Sequence, residues 1–384
     1  MLEFVVLGVI SLALCAFRRS ASQDCSSRPN SHCEREFGLF HSFEGSMRRT
    51  VALTMVLLAA CGLATAQTIA KYAGEFMSIG VGGRALGLGG AYTALASDAT
   101  AGYWNPSGLA RLDYPEFVLM HDERFGNLIN YDFAAVVVPY GTDETFGLSV
   151  MRLGVDGIPD TRNAMVDNNG NGIFDNADRL DYDKITYFNS ADWALYLSYA
   201  SKYTSDLYYG VNIKFIRRTL AEYSATGVGF DIGLLYSPLD DLFIGLNAQD
   251  ITTTLLAWNT GRNELVSPTL KFGAAYFFDV FGGRLAPTVD VDLRFENRQF
   301  ASTANLGPIS LDPHAGLEFD FKKTVAVRVG YSDVKQLTVG AGLHLRKLDI
   351  DYSFARFGKN DDLGDTHRIS LRFLLQEDRF ARPR

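Results

Sequence analysis

Apolar and polar residues alternate along most of the chain after Pro115. In the last such stretch Ile369, Leu371 and Phe373 share one face, and Arg368, Ser370 and Arg372 share the other. Just before it, Leu348, Ile350, Tyr352 and Phe354 oppose Asp349, Asp351 and Ser353. Val289, Val291, Leu293 and Phe295 likewise oppose Asp290, Asp292 and Arg294, while Val325, Val327 and Val329 oppose Arg328. A period of two predicts strands with one apolar face. Read through the chain, it predicts strands over Glu116–Asp122, Tyr131–Pro139, Thr145–Val155, Asp192–Tyr203, Leu207–Arg218, Gly227–Pro238, Leu242–Asp250, Thr269–Phe278, Arg284–Phe295, His314–Phe321, Val325–Tyr331, Leu337–Leu345, Leu348–Phe357 and His367–Leu374. These number about fourteen, an even count. Such a series of roughly 10-residue alternating strands predicts an all-β transmembrane antiparallel barrel over residues 115–375.

The connections sort into two classes, as a barrel requires. Tyr140–Glu144, Thr204–Asp206, Leu239–Asp241, Asp279–Gly283, Lys322–Thr324 and Arg346–Lys347 are short and fall at one end. Asp156–Ala191, Ile251–Pro268, Glu296–Pro313 and Gly358–Thr366 are long and fall at the other. Short turns are expected on the periplasmic side and long loops at the cell surface. A charge on the lipid face costs about 2–4 kcal/mol at the midplane for Arg or Lys, so the polar set must face the lumen.

A lumen lined by Asp290, Asp292, Asp349, Asp351, Arg328, Arg368 and Arg372 can be read two ways. These groups bind a polar head group or steer a substrate, or they pair with one another and with the segment before the barrel, through Arg84 and Asp98. Pairing is favoured, because unpaired charges beside a packed plug are costly.

That preceding segment, Ile79–Leu112, is dense in Gly and Ala but keeps neither period. It is expected to be compact and irregular, held by another structure. Its glycines do not give G-x-G-x-x-G between a strand and a helix, which argues against a dinucleotide site. Gly83-Arg84-Ala85, Gly87 to Tyr92, Ser97-Asp98-Ala99-Thr100 and Trp104-Asn105-Pro106-Ser107-Gly108-Leu109 resemble the N-terminal region of the FadL and PorV/PorQ outer-membrane proteins, more closely the PorV/PorQ side. Ser107 stands where Ala is usual. The resemblance implies a hatch inside a fourteen-stranded barrel, here residues 67–114, with Gly83, Arg84, Gly89, Gly90, Asp98, Trp104, Asn105, Pro106 and Gly108 as its motif.

Met47-Arg48-Arg49, the apolar run Val51–Leu63 and Ala64-Thr65-Ala66 form a signal peptide over residues 47–66, with Gln67 as the mature terminus. Residues 1–46 then read as an over-extended gene start. The rival signal or anchor, Phe4–Phe17, follows Glu3 instead of a basic region and is too short to span. Leu58-Ala59-Ala60-Cys61 also fits a lipoprotein box, which would lipidate Cys61; ordinary cleavage is favoured. Cys15, Cys25, Cys33 and Cys61 all precede Gln67, so the mature chain would carry no thiol.

Composition agrees with export to the outer membrane. The chain carries 18 Tyr and 27 Phe, which suits aromatic girdles, and a soluble all-β protein is the alternative. A net charge of -8 argues against nucleic acid as a partner. The expected partners are outer-membrane lipid and either a hydrophobic small molecule or an exported protein. Beyond the last strand, residues 376–384 form a charged tail, where outer-membrane barrels commonly finish on an aromatic residue such as Phe373.

Two loops carry further expectations. In Asp167-Asn168-Asn169-Gly170-Asn171-Gly172-Ile173-Phe174-Asp175-Asn176-Ala177-Asp178 the spacing matches a Ca²⁺ loop, with Asp167, Asn169, Asn171, Asp175 and Asp178 as side-chain donors and Ile173 offering its carbonyl. Asp178 replaces the usual Glu, which implies binding at roughly 10⁻⁴–10⁻³ M. The alternative is an Asn/Gly turn held by side-chain to backbone bonds. Leu255, Leu256 and Trp258 form an apolar cluster in an expected surface loop, a candidate point of ligand access.

Catalysis is not expected. His121, His314, His344 and His367 are scattered, and no H-E-x-x-H, G-x-S-x-G, carboxylate pair or triad stands out. Two functions from different classes are carried forward: passage of hydrophobic small molecules in the manner of FadL, or a PorV/PorQ-type role in type IX secretion, holding or handing on exported proteins. A structural or adhesive barrel is a third.

Overall fold

The computed structural model describes residues 74–125, 128–173, 175–176, 178–295, 302–307, 309–332, 336–356 and 365–383, all within the compact unit Gln67–Arg384. The expected gene-start extension, signal peptide and Cys61 lie outside the described residues, as do residues 67–73 of the expected hatch.

Among the described residues fourteen long strands close into one antiparallel barrel. They are β1 (Glu116–Arg124), β2 (Ile129–Tyr140), β3 (Glu144–Asp160), β4 (Thr186–Lys202), β5 (Leu207–Leu220), β6 (Tyr223–Leu239) and β7 (Leu242–Gln249). The circuit continues with β8 (Thr269–Tyr276), β9 (Gly283–Arg294), β10 (Ile309–Phe321), β11 (Val325–Tyr331), β12 (Leu337–His344), β13 (Leu348–Arg356) and β14 (Asp365–Leu374). Each pairs with the next in sequence, and β14 returns to β1 from Glu116↔Leu374 to Glu123↔His367. Closure leaves no unpaired edge, which the hydrocarbon region would penalise.

The strand faces follow the alternation. Asp290, Asp292, Arg328, Asp349, Asp351, Arg368 and Ser370 are buried in the lumen, while Val289, Val325, Val327, Tyr352, Ile369 and Phe373 are exposed on the outer face. Near the short-turn end aromatic rings meet across that outer face: Phe117 stacks on Phe373 at 6.1 Å, Phe146 lies 5.4 Å from Tyr199, and Tyr199 lies 6.3 Å from Tyr209.

The ends of the strands depart from expectation at the long-loop side. β3 and β4 stay paired out to Asp160↔Thr186, past an irregularity between Val155 and Ile158. Ladder pairing there carries the wall beyond the apolar band. The loop holding Leu255, Leu256 and Trp258 is likewise a hairpin, Thr254–Trp258 with Asn263–Val266, and it belongs to the wall. β7 pairs with β6 only from Ile232 down, and Leu255 to Trp258 take the place above it, opposite Val228 to Ala225.

The tail after β14 is docked. Leu375 donates its N–H to Pro115 O, and Arg382 donates from its backbone to Asp113 O and from Nε to Leu112 O.

Candidate functional site

Residues 80–112 fill the lumen as short helical turns joined by tight bends, and nearly every side chain is buried. The Asn-Pro-Ser-Gly run shows why those residue types stand there. Asn105 is extended at φ -163° and ψ 103° and caps the 3₁₀ turn Pro106–Arg111, with Oδ1 accepting from Ser107 N at 3.3 Å and Ser107 Oγ at 2.6 Å. Pro106 occupies the first helical position, where its missing N–H costs nothing. Asn105 Nδ2 then donates to Thr93 O at 2.9 Å and to Leu234 O of β6 at 3.1 Å. One side chain thus caps the turn, staples the hatch to itself and fixes it to the wall. A Cβ on Gly108 would sit 2.2 Å from Ala96 O.

The other motif residues make a chain of polar contacts. Arg84 donates from Nε and Nη2 to both carboxylate oxygens of Glu318, at 2.9 and 2.7 Å, and from Nη1 to Tyr92 Oη at 3.1 Å. Tyr92 donates to Asp98 Oδ2 at 2.7 Å, and Asp98 Oδ1 accepts from Thr100 N at 2.8 Å. Trp104 donates from Nε1 to Val81 O at 2.8 Å and packs edge-on to Tyr92 and Tyr103. Gly89 has φ +67°, and a Cβ there would lie 2.6 Å from the Tyr331 backbone. Only glycine allows both.

The wall answers the hatch group by group. Asp290 Oδ2 accepts from the N–H groups of Tyr92 and Thr93 at 2.9 and 2.8 Å, and Glu116 Oε2 accepts from Ala99 N at 3.0 Å. Ser370 Oγ accepts from Gly83 N, while Asn212 Nδ2 donates to Gly102 O and Asn247 Nδ2 to Trp104 O. A buried irregular backbone has no ladder of its own, and these side chains supply its partners. Where the hatch backbone comes closest, the wall carries glycine: a Cβ on Gly330 would lie 2.1 Å from Leu88 C, and one on Gly233 2.2 Å from Asn105 Oδ1.

Apart from Asp290, which takes backbone N–H groups, the lumen charges singled out above are paired. Arg328 reaches Glu318 and Asp351, both at 2.6 Å; Lys271 reaches Asp292 at 2.6 Å; Arg368 reaches Asp122 at 3.2 Å. Arg372 pairs with Asp349 and, at 3.4 Å, with Glu116. Lys214 sits between Asp231 at 2.8 Å and Asp250 at 2.6 Å. The pairing expected through Arg84 goes to Glu318, and Asp98 meets Tyr92 and Thr100. Lys214, Asp231, Asp250, Lys271, Glu318, Glu116 and Asp122 were not singled out from the sequence. The alternation in β5 marks Lys214 as inward, between Ile213 and Phe215, by the rule that marks Arg328.

On the β1 to β5 side, apolar side chains stand among polar ones such as Lys214 and Asp122. Val118, Met120, Tyr131, Phe133, Met151, Tyr196 and Ile216 point inward from β1 to β5 and form one buried cluster with Phe76, Met77 and Tyr103 of the hatch and Leu256 of the hairpin. Leu256 is fully buried, Leu255 faces outward, and Trp258 is half-buried with the Arg218 guanidinium 5.7 Å from its ring. The three do not form one exposed patch, because consecutive strand residues point to opposite faces.

The Asn/Gly-rich loop is bound to itself. Asp167 accepts from Gly170 N at 2.6 Å and Gly172 N at 2.7 Å, Asp178 accepts from Asn168 N and Asp175 N, and Asn169 and Asn171 turn their Nδ2 groups to Asp175. Asn171 N and Ile173 N donate in turn to Asn169 and Asn171 Oδ1. Phe174 and Ala177 lie outside the described residues. Among the described residues no group of three or more His, Cys, Asp or Glu side chains converges on one point.

Residues 52–150 match the profile of an uncharacterised protein family, UPF0164. No curated protein sequence matches the chain. Solved barrels share its fold: the Ralstonia pickettii toluene transporter TbuX superposes with a TM-score of 0.52 at 14% identity, over 77% of this chain and 98% of TbuX. The CymD monoaromatic hydrocarbon channel superposes with a TM-score of 0.51 at 13% identity, over 78% of this chain and 98% of CymD. The chain is thus similar in fold to outer-membrane barrels of the FadL type.

Proposed function

We propose that this protein is an integral outer-membrane barrel that passes hydrophobic small molecules. The observation that carries the reading is the apolar luminal stripe from Met120 and Tyr131 to Met151 and Ile216, meeting Phe76 and Met77 of the hatch. Such a stripe, which crosses neighbouring strands at one level, offers an apolar solute contact between the Asp192–Arg218 pair on one side and Lys214 on the other. The stripe is filled at rest, so passage needs the Phe76–Met77 turn to move aside. The fold shared with a toluene transporter and a monoaromatic hydrocarbon channel supports the same reading.

The test is uptake of a radiolabelled monoaromatic or long-chain acyl compound by cells with and without the full chain in the outer membrane. Uptake should fall on deletion and stay low with Ile216→Asn, provided that this variant still folds to a heat-resistant barrel. Unchanged uptake on deletion, with exported proteins co-purifying, would point to the PorV/PorQ-type role in protein secretion.

A further inference from the structure

A row with four polar residues among its six crosses the outer face of the barrel above the apolar band. In register across β2 to β6 and the hairpin stand Asp132, Arg152, Trp193, Arg217, Thr226 and Ala257. Arg152 lies eight residues above Glu144 at the short-turn end. At about 3.4 Å per residue and a tilt of 35–45°, that is about 20 Å up, near the far boundary of a band about 25 Å tall. Trp193 is 43% exposed, as a boundary tryptophan is.

Two cations flank that ring. The Arg152 guanidinium lies 5.7 Å from the Trp193 ring, and it lies back over Gly154, where a Cβ would stand 2.6 Å from its Nη2. Its ion pairs are loose, 3.6 Å to Asp132 and 3.9 Å to Asp156. On the other side Arg217 is exposed and has no ion-pair partner among the described residues. This contrasts with the luminal arginines Arg84, Arg328 and Arg372, each of which meets a carboxylate.

Directly below, the wall is hollowed. Val150, Leu195, Phe215, Val228 and Leu255 line an outward depression of about 620 Å³ whose upper rim is Trp193 and Arg217. Phe215 and Val228 are 44% and 46% exposed within it. An apolar hollow facing hydrocarbon, capped by one unpaired and one loosely paired cation, is complementary to a single kind of partner.

We propose that this face of β3 to β6 binds one membrane lipid with a net anionic, phosphate-bearing head group. The phosphate lies between Arg152 and Arg217 above Trp193, and an acyl chain lies in the hollow. Arginine suits the role because its planar fork holds a phosphate by two parallel N–H bonds, and a boundary position desolvates the pair. The site is on the outer wall and does not depend on passage through the lumen.

Native mass spectrometry of the full chain in mild detergent tests this, with phosphatidylglycerol, phosphatidylcholine and inorganic phosphate added in separate arms. Phosphatidylglycerol should be retained over phosphatidylcholine, and the R152Q/R217Q double variant should lose that preference by about thirtyfold, the effect of two cations near an anionic surface. Phe215→Ser should lower retention with both cations in place, and Arg356→Gln, an exposed cation on β13, should change nothing. Equal retention of the two lipids, or full retention by R152Q/R217Q, overturns the proposal. Displacement of the lipid by inorganic phosphate at equal concentration overturns it too, leaving an anion site with no acyl requirement.

Discussion

The two sides of the lumen hold the same hatch by different physics. From β9 to β14 the contact is ionic: Glu318 clamps Arg84 of the hatch and Arg328 of the wall, and Asp290 receives two backbone N–H groups. From β1 to β5 it is largely apolar packing, Met120, Phe133, Met151 and Tyr196 against Met77, Tyr103 and Leu109. Paired charges tolerate little displacement, because separating them leaves each uncompensated in a low dielectric. Apolar surfaces can part and close again with a graded cost. One side therefore fixes the hatch, and the other is where it can yield.

The largest predicted effect comes from breaking the ionic side. Glu318→Ala leaves Arg84 without its carboxylate partner, beside an Arg328 that keeps only Asp351, and should cost about 3–5 kcal/mol. Thermal unfolding of the purified barrel would show it, with amide exchange rising first over residues 83–92. If exchange rises equally over residues 101–111, the two sides are not separate supports.

Asn105→Ala should come next, at about 1–3 kcal/mol, since it removes a cap and leaves the carbonyls of Thr93 and Leu234 without their donor. Denaturant titration measures that loss. On the apolar side Met151→Leu conserves volume and should cost less than about 1.5 kcal/mol, with the barrel otherwise unchanged. A cost equal to that of Glu318→Ala would erase the contrast between the two sides.

How much of this was legible in the sequence depends on range. β11, Val325–Tyr331, is read to the residue, because its alternation is strict and turns flank it. The extensions of β3 and β4 to Asp160 and Thr186 were missed, since pairing beyond the apolar band needs no apolar face and leaves no period to see. The hairpin at Thr254–Val266 does carry a signal: Asn259-Thr260-Gly261 is a turn sequence between two short β-prone runs, and Gly261 has φ +80°. In the site, Arg84 and Asp98 were marked by motif, but Glu318 lies 234 residues from Arg84. No local pattern encodes which strand will face which turn of the hatch.

The smallest effect lies in the Asn/Gly loop, far from both sides. The backbone N–H of Gly172, with those of Gly170 and its neighbours, holds the Asp167 carboxyl below its ordinary range. A depressed carboxylate contributes stability above its unfolded value, about 4, and loses it as pH falls through the folded value. Protection of the Gly170 and Gly172 amides should therefore drop below about pH 4 while the barrel amides hold. Calcium, proposed from the donor spacing, should half-saturate the loop at roughly 10⁻⁴–10⁻³ M in a calorimetric titration; absence of heat removes it.

The docked tail has a mechanical consequence. The hatch enters the wall through Leu112 and Asp113, and Arg382 grips both carbonyls while also reaching Thr142 O in the turn between β2 and β3. A pull on the hatch is thus passed sideways into the tail and that turn before it reaches the β1–β14 seam. The seam is relieved of load at the point where a closed ring of strands is joined by hydrogen bonds between the first and the last.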